Sequence, residues 1–233
     1  MNKFDILLWD LDGTVNDFLV TENYAIKKGF KRLNLGKCTD EMVNRYSKIN
    51  ISYWEKLERG EMSKKDILTG RFKEFFREYN IPEEFAETFN DNYQIDLGDK
   101  LVFIDGALEV LQKIKSDGKI RQFVVTNGLV ANQKRKLEGP ELSPIFEYAF
   151  ISDEVGFEKP TIEFFNKVFE KIGNVPKNRF LIIGDSLTSD IRGGNNAGIK
   201  TCWFNPSGKK NTKNVTVDYE ISDLRQILNI IEC

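Results

Sequence analysis

The chain has 233 residues, of which 40% are hydrophobic and 12% aromatic, enough to fill a sizeable core and too apolar for general disorder. Its 34 basic and 36 acidic side chains almost cancel, so no electrostatic ground exists for a nucleic-acid or membrane-surface partner. The chain contains no His, which excludes Ser-His-Asp hydrolysis, His-ligated zinc and phosphohistidine transfer and leaves acid–base work to carboxylates, Lys, Tyr or Cys.

The first element is the apolar run Phe4–Trp9, a buried strand stopped by the polar Asp10-Leu-Asp-Gly-Thr. With Asp5 and Asp10 interrupting it and no small-residue cleavage site, it does not read as a signal peptide. From about Thr21 to Leu97 the pattern is helical throughout, with Leu, Ile, Phe and Trp at amphipathic spacing. Ser63 is the expected N-cap of one of these helices, Gly60 a stop, and Pro82 a new start after Asn80. Beyond Gly98 strands and helices alternate. GALEVLQKIKSDG is helical, KIRQFVVTNG a strand, LVANQKRKLEG helical, YAFIS a short strand and TIEFFNKVFEKIG a helix. RFLIIGDS is a strand, DIRGGNNAG a helix, KTCWFN a strand, and VDYEISDLRQILNII a last strand and helix after a polar linker, residues 206–216. Within that linker GKKNTKN (208–214) reads as a solvated loop. Apolar strands alternating with helices predict an α/β fold, a Rossmann-like parallel sheet with helices on both faces. The expected layout is a core of residues 1–14 and 98–233, interrupted after its first strand by an all-helical cap, residues 15–97.

The three cysteines, Cys38, Cys202 and Cys233, are far apart and form no C-x-x-C, so neither a disulfide framework nor a thiolate metal site is expected. Cys202 lies in an apolar strand and reads as a buried small residue. No apolar run approaches the ~20 residues of a membrane span. The expectation is a cytoplasmic setting with no membrane or nucleic-acid partner, and no indication of oligomeric state.

In an open α/β sheet, function gathers at the carboxyl ends of the strands. Here those ends carry Asp10 and Asp12, Thr126 and Asn127, and Asp185 and Ser186, with Lys159 beyond the YAFIS strand and Asp190 shortly after Asp185. Asp10 and Asp12 are two apart and leave an extended backbone on one side. Four carboxylates in one pocket repel by ~4 kcal/mol per pair at a few ångströms, so protons or a cation must offset them. Oxygen-only ligands favour Mg²⁺, with Lys159 as a second positive charge. Taken singly, each residue also reads as a turn or helix cap; it is their joint occurrence in this order that points to chemistry.

This set resembles the four motifs of the haloacid dehalogenase superfamily: Asp10-Leu-Asp-Gly-Thr14, Val125-Thr-Asn127, Glu158-Lys-Pro160, and Gly184-Asp-Ser186 with Asp190. The likeness covers essentially the whole chain, the helical block falling where that superfamily carries a cap. YWEKLERG (53–60), GRF (70–72), EVGFEKP (154–160) and GGNNAGIKTCWFN (193–205) further resemble bacterial pyrimidine 5′-nucleotidases. The resemblance implies an Mg²⁺-dependent phosphate monoester hydrolase acting on a nucleotide through an aspartyl-phosphate. It implies Asp10 as nucleophile, Asp12 as general acid and base, and Thr126, Asn127 and Lys159 as phosphate ligands. The metal would be held by Asp10, Asp185 and the backbone carbonyl of Asp12, with Asp190 behind them. Tyr53, Trp54, Arg71 and Phe72 are candidates to meet the substrate from the cap, although aromatics at this spacing serve as core more often. Sugar-phosphate hydrolysis or phosphomutase action needs the same residues. Dehalogenation by attack of Asp10 on carbon needs neither a proton donor at Asp12 nor Mg²⁺, and a non-catalytic module would have lost a nucleophile or metal carboxylate.

Overall fold

The computed structural model describes residues 3–232; Cys233 lies outside the described residues. Six strands form one parallel sheet: β1 (Ile6–Trp9), β2 (Arg121–Thr126), β3 (Tyr148–Ile151), β4 (Phe180–Gly184), β5 (Lys200–Phe204) and β6 (Tyr219–Ile221). Their spatial order is β3-β2-β1-β4-β5-β6, with every pairing parallel. Strand order therefore reverses at β1, between β2 and β4, which opens a crevice beyond the carboxyl ends of these strands.

Strand alternation sorts the core into two layers. Leu7, Trp9, Val124, Leu181 and Ile183 face one side, packed with α5 (Ala107–Asp117) and α10 (Gln226–Ile231). Ile6, Leu8, Phe123, Val125, Phe180 and Ile182 face the other, against α8 (Ile162–Ile172) and α9 (Arg192–Ala197). Both faces are covered, which is why these strands read as unbroken apolar runs. Each such side chain contributes roughly 1.5–3 kcal/mol by burial.

Between β1 and α5 lie four helices, α1 (Phe18–Arg32), α2 (Asp40–Glu58), α3 (Lys64–Glu78) and α4 (Ala86–Asp99). They enclose a third apolar cluster of their own, in which the rings of Phe30, Tyr46, Phe72, Phe75, Phe76, Phe89 and Tyr93 interlock. Ser63 caps α3, its hydroxyl accepting from the Asp66 N–H at 3.2 Å, and Gly60 takes a positive φ after α2. Pro82 precedes a short 3₁₀ turn, Glu83–Phe85, that leads into α4. The two chain segments joining this block to the sheet are tied together. Asp17 donates its backbone N–H to the Val102 carbonyl at 2.7 Å, and the Val102 N–H donates to Asn16 Oδ1 at 3.1 Å. The remaining helices are α6 (Val130–Leu137) and the single turn α7 (Ser152–Val155). Helix α4 leans on α6 and so brings the helical block against the sheet's active end. A turn of π-helix, Leu187–Ile191, precedes α9, a detail that sequence periodicity does not reveal. Cys202 is fully buried, and burial pushes its thiol up to about 12. No helix among the described residues is long and apolar enough to cross a membrane.

Candidate active site

Asp10 follows β1 directly, its N–H donating to the Ile183 carbonyl of β4 at 2.9 Å, so the sheet itself fixes its position. Asp185 follows β4 in the same way, and its carbonyl accepts from the Trp203 indole N–H at 3.0 Å. Oxygens of Asp10, Asp185 and Asp190 lie within 4.8 Å of one another. Gly13, at φ 101°, makes that gathering possible: a Cβ there would stand 2.7 Å from both Asp185 carboxylate oxygens. Gly184 is required for a like reason, since a side chain in its place would overlap the Asp190 carboxylate.

Lys159 is the positive centre of the cluster. Its ammonium, 1% exposed, donates to Asp10 Oδ1 at 2.8 Å, Asp190 Oδ1 at 2.6 Å and the Val125 carbonyl at 2.8 Å. Burial alone would push its proton off, but the Asp10 and Asp190 charges outweigh burial and raise its pKa above the usual lysine value. Asn127 sets the Lys159 backbone, donating Nδ2–H to the Lys159 carbonyl at 2.8 Å and accepting from the Lys159 N–H at 2.8 Å. Asn127's side chain is thereby committed to the loop. Thr126 accepts from the Gly128 N–H at 3.1 Å, which leaves its own hydroxyl proton available to a ligand.

The two aspartates of the first motif sit in opposite electrostatic settings. Burial pushes the Asp10 carboxyl well up, Lys159 only partly offsetting it, and the Asp190 and Asp185 charges add to the rise. Burial also acts on Asp12, but there it is outweighed. Lys136 Nζ donates to Asp12 Oδ1 at 2.6 Å, Asn16 Nδ2 to the same oxygen at 2.7 Å, and Gln133 Nε2 to Oδ2 at 2.7 Å. The Asp12 carboxyl consequently titrates below its ordinary range. Asp185 is raised to about 7, by burial first and then by the Asp190 charge.

These residues line one cavity of about 400 Å³, walled by the sheet's loops on one side and the helical block on the other. The sequence-derived candidates Asp10, Asp12, Thr126, Asn127, Lys159, Asp185 and Asp190 all line it, as do Trp54 and Arg71 from the helical block. Tyr53 and Phe72 do not. Each neighbours a lining residue on a helix, where successive side chains diverge by about 100°, and each packs inside the block's apolar cluster. Tyr53's hydroxyl is engaged with Glu74 at 2.9 Å. The loop at 208–214 is exposed as expected, yet Lys209, Lys210, Thr212 and Lys213 also line the cavity mouth.

Sequence reasoning missed Lys136, fully buried beside Asp12, and Glu58, whose carboxylate accepts from the Thr188 hydroxyl across the gap between the helical block and the sheet. Burial, countered in part by that hydrogen bond and reinforced by the Asp190 charge, raises Glu58 to about 7. A signal for Lys136 was available: Asn132, Gln133 and Lys136 recur at helical spacing on α6, a polar stripe where a core-facing helix would carry apolar residues.

The donor set fits a hard divalent cation. Asp10 Oδ2 is buried without a hydrogen-bond partner, Asp185 opens into the cavity beside it, and no soft ligand adjoins them.

Comparison with known proteins agrees with this geometry. The model of the haloacid dehalogenase-like hydrolase family matches residues 7–204. The HAD-hydrolase YfnB of Bacillus subtilis is 35% identical over 99% of this chain and 97% of its own length. Its crystal structure, described as bound to magnesium and as revealing interdomain movement, superposes with a TM-score of 0.92 at 34% identity, over 99% of this chain and 100% of the other. The pyrimidine 5′-nucleotidases PynA of Streptococcus pneumoniae and YjjG of Escherichia coli are 31% and 28% identical, each over 98% of this chain and over 95% and 98% of their own lengths. With its motif residues gathered at the switch point of a parallel sheet and the family model spanning most of its length, the chain belongs to the haloacid dehalogenase-like hydrolases.

Proposed function

We propose that the protein is an Mg²⁺-dependent phosphate monoester hydrolase that works through an aspartyl-phosphate, and that its substrate is a pyrimidine nucleoside 5′-monophosphate. The observation that carries the reading is the placement of an unpartnered Asp10 oxygen beside Asp185, with the Lys159 ammonium bonded to Asp10 and Asp190. The resemblance to PynA and YjjG supports the nucleotide.

Asp10 attacks phosphorus, a P–O bond forms to its carboxylate, and the bond to the leaving alkoxide breaks. Thr126 binds a phosphoryl oxygen, and Lys159, whose three N–H groups are engaged by Asp10, Asp190 and the Val125 carbonyl, binds another by giving up its bond to Asp10. Asn127 holds the Lys159 loop in place and offers its backbone N–H. Asp12 gives the alkoxide a proton. Its three hydrogen-bond donors keep it ionised before substrate arrives; a phosphate dianion brought alongside raises its proton affinity by like-charge repulsion, so Asp12 takes up a proton from solvent and passes that proton to the alkoxide. Returned to the carboxylate form, Asp12 takes a proton from water, which attacks phosphorus and breaks the bond to Asp10. Asp10, Asp185 and the Asp12 carbonyl would hold Mg²⁺, which would supply positive charge to offset the phosphoryl group. Asp190 fixes Lys159 and accepts from the Ser186 N–H at 3.1 Å, so it supports the cluster from behind.

Asp12 distinguishes this chemistry from dehalogenation, which needs no proton donor there. A phosphatase screen of nucleoside monophosphates and sugar phosphates with Mg²⁺ tests the reading. Preference for UMP, dUMP or dTMP is expected, with loss of phosphate release in excess chelator. Preference for a hexose phosphate would move the substrate to sugar metabolism, and undiminished turnover in chelator would remove the metal.

A further inference from the structure

Three buried polar atoms belonging to described cavity-lining residues have no hydrogen-bond partner: Asp10 Oδ2, Arg71 Nε and Asn132 Oδ1. The first is accounted for by the chemistry above. The other two belong to opposite walls of the cavity, Arg71 to α3 of the helical block and Asn132 to α6 beside the sheet. They are 1% and 4% exposed.

A chain of hydrogen bonds fixes both groups. Arg71 Nη1 donates to Asn50 Oδ1 at 2.7 Å and Nη2 to Asn90 Oδ1 at 3.1 Å. Gln94 Nε2 donates to the same Asn90 oxygen at 3.2 Å, and Asn132 Nδ2 donates to Gln94 Oε1 at 2.6 Å. An arginine guanidinium does not lose its proton, so the unused Nε is a donor. The amide nitrogen of Asn132 is committed to Gln94, so its unused oxygen is an acceptor. The chain thus ends in one spare donor and one spare acceptor, held by a network whose other bonds are made. Unpaired buried polar groups are costly, and a cavity wall is where a ligand can complete them. The Arg71 guanidinium also lies 6.0 Å from the centre of the Trp54 ring, which gives this end of the cavity a flat aromatic surface.

We propose that Arg71 and Asn132 are the specificity-determining pair for the leaving group. Arg71 Nε–H donates to a ring carbonyl and Asn132 Oδ1 accepts from an N–H of the same nucleobase, with the Trp54 face alongside. The proposal rests on the nucleotide reading of the site and deepens it, because it names what recognises the base. A phosphate ester whose leaving group has no N–H leaves Asn132 unpaired, and a site built around hydrogen bonds discriminates strongly against such a substrate.

The test compares kcat/KM for UMP with that for p-nitrophenyl phosphate, both with Mg²⁺, in the wild type, Asn132→Ala and Arg71→Lys. Arg71→Lys keeps the positive charge beside Asn50 and the buried Glu22 carboxylate, to which Asn50 Nδ2 donates at 2.8 Å, but loses the Nε donor. The ratio of the two kcat/KM values is expected to fall by about tenfold or more in each variant. A purely structural role lowers both activities in parallel and leaves the ratio unmoved, which overturns the proposal while the phosphatase reading stands. Should Asn132→Ala lose aryl phosphate turnover altogether, Arg71→Lys decides the matter by the same ratio. A wild type that releases no phosphate from either compound overturns the phosphatase reading and this proposal with it.

Discussion

Asp10 and Asp12 are two residues apart on one strand end, yet their surroundings drive them in opposite directions, and each direction has a measurable consequence. Because burial and the neighbouring carboxylates oppose ionisation of Asp10, replacing it with Asn removes a strained charge, and Lys159 keeps Asp190 and the Val125 carbonyl as partners. Asp10→Asn is therefore expected to lower kcat by about 10⁴-fold or more while the unfolding temperature stays level or rises; retained turnover would mean that another group attacks phosphorus. On the proposed reading, Asp185 and Asp10 both make metal binding pH-dependent, and Asp185 sets the pH window. Its carboxyl, raised to about 7 by burial and then by Asp190, holds its proton more tightly in the folded protein than in the unfolded chain. Metal-free stability consequently falls as pH rises from about 4 towards 7. A divalent cation binds the ionised form, so Mg²⁺ should raise the unfolding temperature more at pH 8 than at pH 5.5. At a hundredfold excess over Kd the gain is about 2.7 kcal/mol, or about 5–11 °C for a chain of this size. Equal shifts at the two pH values would place the cation elsewhere. Asp10 and Asp185 were legible in the sequence because each directly follows an apolar strand, with Asp12 and Asp190 at short spacings behind them. What remained hidden was their electrostatic difference, since Lys136 and Gln133 reach Asp12 from more than a hundred residues away.

Helix α6 shows how an element can be legible in the sequence while its purpose is not. Its length and position follow from the alternation of strands and helices, but its buried face is Asn132, Gln133 and Lys136 rather than an apolar stripe. Helix α4, which packs against it, buries Asn90 and Gln94 among its apolar residues. Two facing helices with polar buried positions join through a hydrogen bond, Asn132 to Gln94, and both line the cavity. The apolar cluster of the helical block was legible from spacing, and so was Ser63 as a cap; a polar face defeats that logic because the period records only hydrophobicity. Lys136→Met tests the point. It strands the Asp12 carboxylate, whose side chain is 19% exposed, without its cation. Breaking a buried ion pair in this way costs about 3–5 kcal/mol, which corresponds to a drop of about 6–20 °C in unfolding temperature. Without Lys136 burial dominates and the Asp12 carboxyl rises, so the loss should be larger at pH 8 than at pH 5. A pH-independent loss would show that Lys136 acts through packing alone.

At the scale of the whole molecule, the cavity is closed by polar links between the helical block and the sheet. Glu58 meets Thr188 next to the acidic cluster, Lys213 meets Glu55 at 3.0 Å, and Lys64 donates to Ser152 at 2.7 Å and Asp153 at 2.9 Å. Lys159, at the bottom of the cavity, is 1% exposed, covered by Asp10, Asp190 and the Val125 carbonyl. The polar links between the helical block and the sheet suit repeated opening. A half-exposed ion pair such as Glu55–Lys213 is worth about 0–1 kcal/mol, enough to bias a closed arrangement and too little to lock it. By contrast, the apolar clusters on either side of the gap hold each half rigid. Reversing one charge should turn the Glu55–Lys213 link into a repulsion and favour the open form. Lys213→Glu is expected to lower kcat/KM several-fold for every phosphate ester tested, because closure serves the phosphoryl site whatever the leaving group. Adding Glu55→Lys restores the attraction with its sign exchanged, and kcat/KM should recover. Recovery in the double variant separates a closing contact from general damage at the cavity mouth; a double variant as slow as Lys213→Glu alone would mean that the pair has no part in closure. The charges of loop 208–214 reach the cavity only in three dimensions, since nothing in the loop's composition says that the chain folds it back there.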